Sequence, residues 1–294
     1  MKITVVACAS YYGAGDSYEK AQLAASFMAL GHDVQFIPID IHHLLPHERY
    51  QLIADFAPDM LLFFPHETEV DPACLRAVIR CPLVLLLADD QWRRAFGLQM
   101  AAYADYVLAQ ALDSAQAYGA KYVPFEWGVY APLWTGEPVA RDIDVSFVGQ
   151  NYGDRLTYLN ALTLAGIDLF SRGIGYGGAL SPQDMACLLR RSKISLNLSK
   201  ASQGNVNAVK IRPFEIGASG AMILTEYAPG LENSFWIDTE AVFFATLSEM
   251  VDKARYYLTH DDERERIAAA GQARVLRDHT LDRRWAVLFE AMGI

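Results

Sequence analysis

Three side chains suited to binding chemistry fall within six positions of one another. Lys210, Arg212 and Glu215 lie in "VKIRPFEIGASGAMILTE", residues 209–226, just ahead of a run of small residues and an apolar strand. Charged groups beside a packed core are costly unless they are paired or used. Two cations at the head of a short helix favour an anion there. A carboxylate such as Glu215 can accept both hydroxyls of a ribose, each bond to a charged group contributing about 1.5–3 kcal/mol. An internal Arg-Glu or Lys-Glu pair with a purely structural role is the competing reading. Ala218, Ser219, Gly220 and Ala221 let helix and strand approach closely.

A second stretch, "FVGQNYGDR", places Gly149 at the end of a buried strand and opens a loop leading to a helix. Backbone N–H groups at such a turn can hold a phosphate, and Arg155 could add a two-pronged contact. An ordinary strand-to-helix turn with a surface arginine explains the same residues. Two other patterns fail. "GIGYGG", residues 173–178, imitates a dinucleotide fingerprint, but its helix starts only at Pro182 and "RRSK" stands where the ribose-binding acid belongs. "DID", residues 142–144, imitates a metal-binding aspartate pair, but these residues open a strand and read as solvated.

These residues are carried by a chain of alternating strands and helices. In the first half, "KITVVACA", "DVQFIPI", "DMLLFFP" and "PLVLLLA" are apolar strands without polar alternation, as in a parallel sheet buried on both faces. "DSYEKAQLAASFMALGH" reads as a helix capped by Asp16 and ended by Gly31, followed by further helices at "ERYQLIADFAP" and "PACLRAVIRC". The proline-bearing "GVYAPLWTGEPVARD" interrupts the pattern, which then restarts through "DVSFVGQ", "SPQDMACLLRRS", "KISLNLS" and "AMILTE". Ser181 and Pro182 mark one helix start. The fold class is therefore α/β, with two Rossmann-like doubly wound domains facing a cleft. One spans 1–130 and the other 141–280, with residues 281–294 as a final helix packing back on the first domain. Such sheets bind ligands beyond the carboxyl ends of their strands.

Composition excludes several classes. The 294 residues are 52% hydrophobic and 20% charged, and no apolar run is long enough to span a membrane. "MKITVVACAS" reads as a first strand and not as a signal peptide. A net charge of -10 argues against nucleic acid or an anionic membrane as the main partner. Cys8, Cys74, Cys81 and Cys187 are scattered, which suggests free thiols in a reducing, cytoplasmic setting with no zinc site. "HHLLPH" reads as a surface turn, and Trp127 and Trp134 as core packing that could alternatively stack on a sugar.

The order "DVSFVGQNYGDR", "SRGIGYGG", "SKISLNLS", "KIRPFEIGASGAMILTE", "GQARVLRDHTLDRR" resembles the carboxyl-terminal domain of GT-B-fold glycosyltransferases of the spore-protein CgeB type. The resemblance covers roughly residues 142 to 285. More loosely, "YYGAGDSYEKAQLAASFMALGHDV" looks like the start of an acceptor domain. By this resemblance Glu215 holds the donor ribose, Lys210 and Arg212 neutralise its diphosphate, and Gly149 faces the phosphates. Ser219 and Gly220 fall in the same donor-binding stretch, and Glu226 reaches the donor sugar. Relatives that retain configuration carry a second glutamate where this chain has Asn207, which leaves the stereochemical outcome open.

The implied activity is hexosyl transfer from a nucleoside-diphosphate sugar, with uridine or thymidine as the expected base, to a glycan, protein or small-molecule hydroxyl. No metal or other cofactor is expected, and self-association stays open. A base would come from Asp90 first, then Asp89, His66 or Asp16. Asp89 and Asp90 end "PLVLLLADD" and His66 follows "LLFFP", both at strand ends. A capping role competes for Asp90 and leads for Asp16. A sugar-nucleotide epimerase on the same fold, a non-catalytic two-domain binding protein and an inactive scaffold are the alternatives.

Overall fold

The computed structural model describes residues 1–10, 16–40, 45–66, 70–88, 90, 92–111, 113–202 and 206–294. They form two compact units, Met1–Glu126 with Leu281–Ile294, and Trp127–Thr280.

The first unit holds β1 (Lys2–Ala7), β2 (Asp33–Pro38), β3 (Met60–Phe63), β4 (Leu83–Leu87), β5 (Tyr106–Ala109) and β6 (Tyr122–Pro124). They form one sheet in the order β2-β1-β3-β4-β5-β6, with every pair parallel. All residues of β3 and β4 are buried, as their unbroken apolar runs require. The connections are helical: a π-helical segment Glu19–Ala24 running into α1 (Ala25–Ala29), then α2 (Pro46–Phe56), α3 (Pro72–Val78), α4 (Arg94–Ala101) and α5 (Ser114–Tyr118). Asp71 caps α3 by accepting from Ala73 N at 2.8 Å, with Pro72 in the first turn.

The helix expected to start at an Asp16 cap differs in two ways. Ser17 does the capping, its Oγ accepting from Lys20 N at 3.1 Å, and the first turns are π-helical. Gly31 ends the element with φ +82°, a conformation that favours glycine. "HHLLPH" lies partly outside the described residues, and its His47 belongs to α2.

The second unit holds β7 (Ile143–Val148), β8 (Leu169–Arg172), β9 (Ser192–Asn197), β10 (Met222–Glu226) and β11 (Val242–Phe244). Their order is β11-β10-β9-β7-β8, again parallel throughout. β11 has only three residues, too few for a periodicity signal, and the sequence reading missed it. The helices are α6 (Ala131–Trp134), α7 (Arg155–Leu164), α8 (Pro182–Arg190), α9 (Arg212–Ala218), α10 (Leu247–Thr259) and α11 (Asp261–Asp278). Ser181 Oγ caps α8, accepting from Asp184 N at 3.1 Å.

Small residues let α9, α11 and β10 meet closely. A Cβ on Gly217 would come 2.8 Å from Val275, and one on Gly271 would come 2.4 Å from the Glu240 carbonyl. Asp142 pairs with Arg191, just before the neighbouring β9 strand, and Asp144 with Lys193 within it, in keeping with a solvated strand start.

The chain ends in α12 (Leu281–Met292), which belongs to the first unit. Trp285 is fully buried, stacks on Phe27 with centroids 4.2 Å apart, and donates from Nε1 to Ser26 Oγ at 2.7 Å. Trp127 and Trp134 are buried too, and Trp127 Nε1 donates to the Val209 carbonyl at 3.2 Å, so both serve packing. The four cysteines are free thiols: Cys81 is buried, Cys8 partly buried, and Cys74 and Cys187 exposed.

Candidate functional site

Because each sheet is parallel, all strands of a unit end on one side, its carboxyl edge. In the second unit the loops after β7, β8, β9 and β10 converge there, together with the start of α9. Arg212 and Glu215 lie three positions apart, so they share a helix face. Glu215 is 3% exposed, and Arg212 Nη1 donates to its Oε2. The same guanidinium donates from Nε to the Val148 carbonyl at 3.2 Å and lies 2.8 Å from Met185 Sδ.

Arg212 thus ties the end of β7 and α8 to α9 while fixing the carboxylate of Glu215. This is the internal Arg-Glu pair that the sequence left as the competing reading. Its presence changes the part Arg212 plays, from a direct anion contact to a clamp on Glu215. Lys210, half-buried, sits two residues before the clamp.

The loop after β7 is built differently from the expectation. Gly149 N donates to the Arg172 carbonyl at 3.0 Å and Asn151 N to the Ile174 carbonyl at 2.8 Å, so both amides extend the pairing with β8. Gly173 carries φ +128°, and a Cβ there would lie 1.8 Å from the Gly149 carbonyl oxygen. The "GIGYGG" turn therefore exists to let two backbones cross, with Tyr176 Oη donating to Asn151 Oδ1 at 2.9 Å.

Arg155, expected to reach a phosphate, is 7% exposed and spent on the protein. Its Nη1 donates to the Gln150 carbonyl at 3.1 Å, its Nη2 to the Leu198 carbonyl at 3.1 Å and to Tyr152 Oη. The guanidinium also lies 3.7 Å from the Tyr152 ring centroid, a desolvated cation–π contact, and burial lowers its pKa. It staples the loop to the end of β9.

Glu226 closes the neighbouring strand ends. Its Oε2 accepts from Ser199 N at 2.8 Å and Lys200 N at 3.3 Å, while Asn197 Nδ2 donates to Thr225 Oγ1 at 2.9 Å. Lys200 reaches Asp154 at 3.1 Å, and Asn207 Nδ2 donates to the Tyr227 carbonyl at 2.8 Å. Lys200 is a cation at this edge that the sequence reading passed over. Its signal was its place right after the strand "KISLNLS".

Ser219 and Gly220 are a correction. Ser219 Oγ donates to the Glu215 carbonyl at 2.9 Å and Gly220, φ +79°, turns the chain into β10. They stand at the amino edge of the sheet, at the opposite end of α9 from Arg212, and cannot share its ligand.

In the first unit Asp90 is also corrected. It is 1% exposed, accepts from Ser114 Oγ at 2.8 Å and Ala111 N at 3.2 Å, and lies 3.3 Å from Arg94 Nη2. Burial raises its pKa against these contacts. It holds the loop after β5 in place, the capping role that competed with the base. Asp16 pairs with Lys20 at 2.8 Å on the surface. Asp89 lies outside the described residues. His66, past the end of β3, places Nε2 2.9 Å from Glu19 Oε1. Neither Glu19 nor its pairing was read from the sequence, because residues 47 apart carry no spacing signal.

Among the described residues no group of three or more His, Cys, Asp or Glu side chains could hold a metal ion. No described helix is long and apolar enough to cross a membrane. The sequence model of one protein family, described as glycosyl transferase-like, matches residues 134–290, just over half of the 294. The chain belongs to this glycosyltransferase family.

Solved structures agree on the architecture. HepE from Anabaena, solved with UDP and glucose, superposes with a TM-score of 0.68 at 11% identity over 100% of both chains. Sucrose-phosphate synthase from Thermosynechococcus elongatus gives 0.64 at 10% identity, over 99% of this chain and 97% of that one. The DNA-modifying β-glucosyltransferase, solved with and without uridine diphosphoglucose, gives 0.61 at 14% identity over 100% of both. The two parallel-sheet α/β units are those of the GT-B fold. No curated protein sequence matches the chain.

Proposed function

We propose that this glycosyltransferase moves a hexose from a nucleoside-diphosphate sugar, with uridine or thymidine as base, to an acceptor hydroxyl, as a CgeB-type member of its family. The observation that carries the reading is Glu215, a buried carboxylate oriented by Arg212 at the carboxyl edge of the family-matched unit. A carboxylate oriented in this way is the kind of group that accepts hydrogen bonds from ribose hydroxyls, the role that the resemblance gives it.

In the reaction the bond between the anomeric carbon and the diphosphate oxygen breaks, and the acceptor oxygen forms the new bond. Negative charge gathers on the leaving diphosphate. Lys210 and Lys200 are the cations assigned to it, positive charge placed where negative charge develops. Arg212 and Arg155 act one step back, keeping Glu215 and the loop after β7 in shape. The chemistry is assigned to these side chains without a resident metal.

The uridine assignment draws on HepE and the β-glucosyltransferase, solved with UDP and with uridine diphosphoglucose. The test is release of nucleoside diphosphate from a panel of nucleotide sugars, with and without sugar acceptors. Release that rises with an acceptor and yields a heavier acceptor by mass is expected. An altered sugar still attached to its nucleotide, formed without acceptor, would point to an epimerase and count against transfer.

A further inference from the structure

The carboxyl edge of the first unit gathers a second set of titratable side chains, from separate elements. Cys8 follows β1, His66 follows β3, and Glu19 opens the π-helical segment. Glu19 Oε1 lies 2.9 Å from His66 Nε2, with the glutamate side chain 6% exposed and the imidazole 47% exposed. A carboxylate this deeply buried is costly unless a cation meets it. π-helical turns are rare and gather at functional sites. Here the π-helical turn carries Glu19 and Gln22 inward together.

The backbone of His66 is fixed as well. Arg93 Nη2 donates to its carbonyl, and the Arg93 guanidinium lies 4.4 Å from the Phe96 ring centroid. The Phe64 ring meets the imidazole edge-on at 5.3 Å. These contacts fix the ring on the Glu19 and Phe64 sides.

We propose that Glu19 is a positioning residue that holds His66 as a fixed imidazolium, so that His66 meets a negatively charged oxygen of a bound substrate and does not serve as the base that deprotonates the acceptor. This rests on the transferase reading for its substrate, and not for the charge of the ring. Among the described residues the titratable and charged groups facing the imidazole are Cys8 and Glu19, with Arg93 on its carbonyl. Burial pulls the imidazole pKa down, but hydrogen bonds with Cys8 and Glu19 and the Glu19 charge carry it up to about 10. An imidazolium has no lone pair to offer an acceptor hydroxyl.

The ring is followed by nitrogen NMR in the full chain between pH 6 and 9.5, with His66→Gln to assign its signals. The wild-type ring is expected to keep imidazolium shifts through pH 8.5. In Glu19→Gln, which keeps the Cys8 contact, it is expected to titrate at lower pH than in the wild type, with Glu19→Asp in between. As a functional readout, nucleotide-sugar turnover by Glu19→Gln should recover at least tenfold on going from pH 8 to pH 6.

A wild-type ring that is neutral at pH 8 overturns the proposal. So does a titration unchanged in a folded Glu19→Gln protein. If that variant does not fold, the wild-type titration decides alone. Absence of nucleoside-diphosphate binding would instead remove the transferase reading and leave the charge of His66 as measured.

Discussion

Arg212 determines what Glu215 is able to do. With its guanidinium on the Val148 carbonyl and on Glu215, it works through the carboxylate more than on a ligand directly. Arg212→Ala and Glu215→Ala are therefore expected to weaken uridine diphosphate binding alike, by about 1.5–3 kcal/mol. The double variant should be little worse than either single one, since residues in one network are not additive. Calorimetric titration of the four proteins checks this; additive losses would show that the two act separately.

Asp90→Ala should leave the Ser114 hydroxyl and the Ala111 amide without an acceptor, at about 1–3 kcal/mol for each group, read in urea unfolding. Residue types and spacing were enough to single out Glu215 and Arg212 as neighbours that would meet on one helix face. What each side chain points at was not, because Arg155 and Asp90 look the same in sequence whether they face a ligand or the protein.

At the scale of elements, the strands were legible because those buried on both faces leave unbroken apolar runs, as in β3 and β4. β11, three residues long, left none. Direction was harder to read than existence. α9 rises about 1.5 Å per residue, so Ser219 stands about 10 Å from Arg212 although only seven positions separate them. Ser219→Ala should accordingly leave nucleotide affinity unchanged in the same titration.

Gly173→Ala should cost about 2–4 kcal/mol, because its φ of +128° and the Gly149 carbonyl both exclude a Cβ. The pairing of Glu19 with His66 has a pH signature too. His66 has its folded pKa raised from 6.5 to about 10, so the stability it contributes is complete below pH 6.5 and lost as pH rises towards 10. The melting-temperature gap between wild type and His66→Gln should narrow across that window. A gap that widens would contradict the pairing.

Over the whole molecule, each unit has its own parallel sheet and its own apolar core, one around Leu61, Phe63 and Leu85, the other around Phe147, Leu196 and Leu224. The first unit is completed by the last fourteen residues, Leu281–Ile294. Trp285→Ala, which empties the space between Phe27 and Ser26, should cost about 3–5 kcal/mol in chemical unfolding. The sequence carried the alternation that defines this architecture, since it is repeated along the chain. It carried nothing of the contact between Glu19 and His66, which come together only through the fold.

The most direct test of the central claim is thermal unfolding with uridine, thymidine, adenosine and guanosine diphosphates, on wild type and Glu215→Gln. A uridine or thymidine diphosphate bound at the carboxyl edge should stabilise the wild type by about 2.7 kcal/mol at a hundred times its Kd, and the substitution should remove most of that shift. Unchanged melting with all four nucleotides at millimolar concentration would contradict the account.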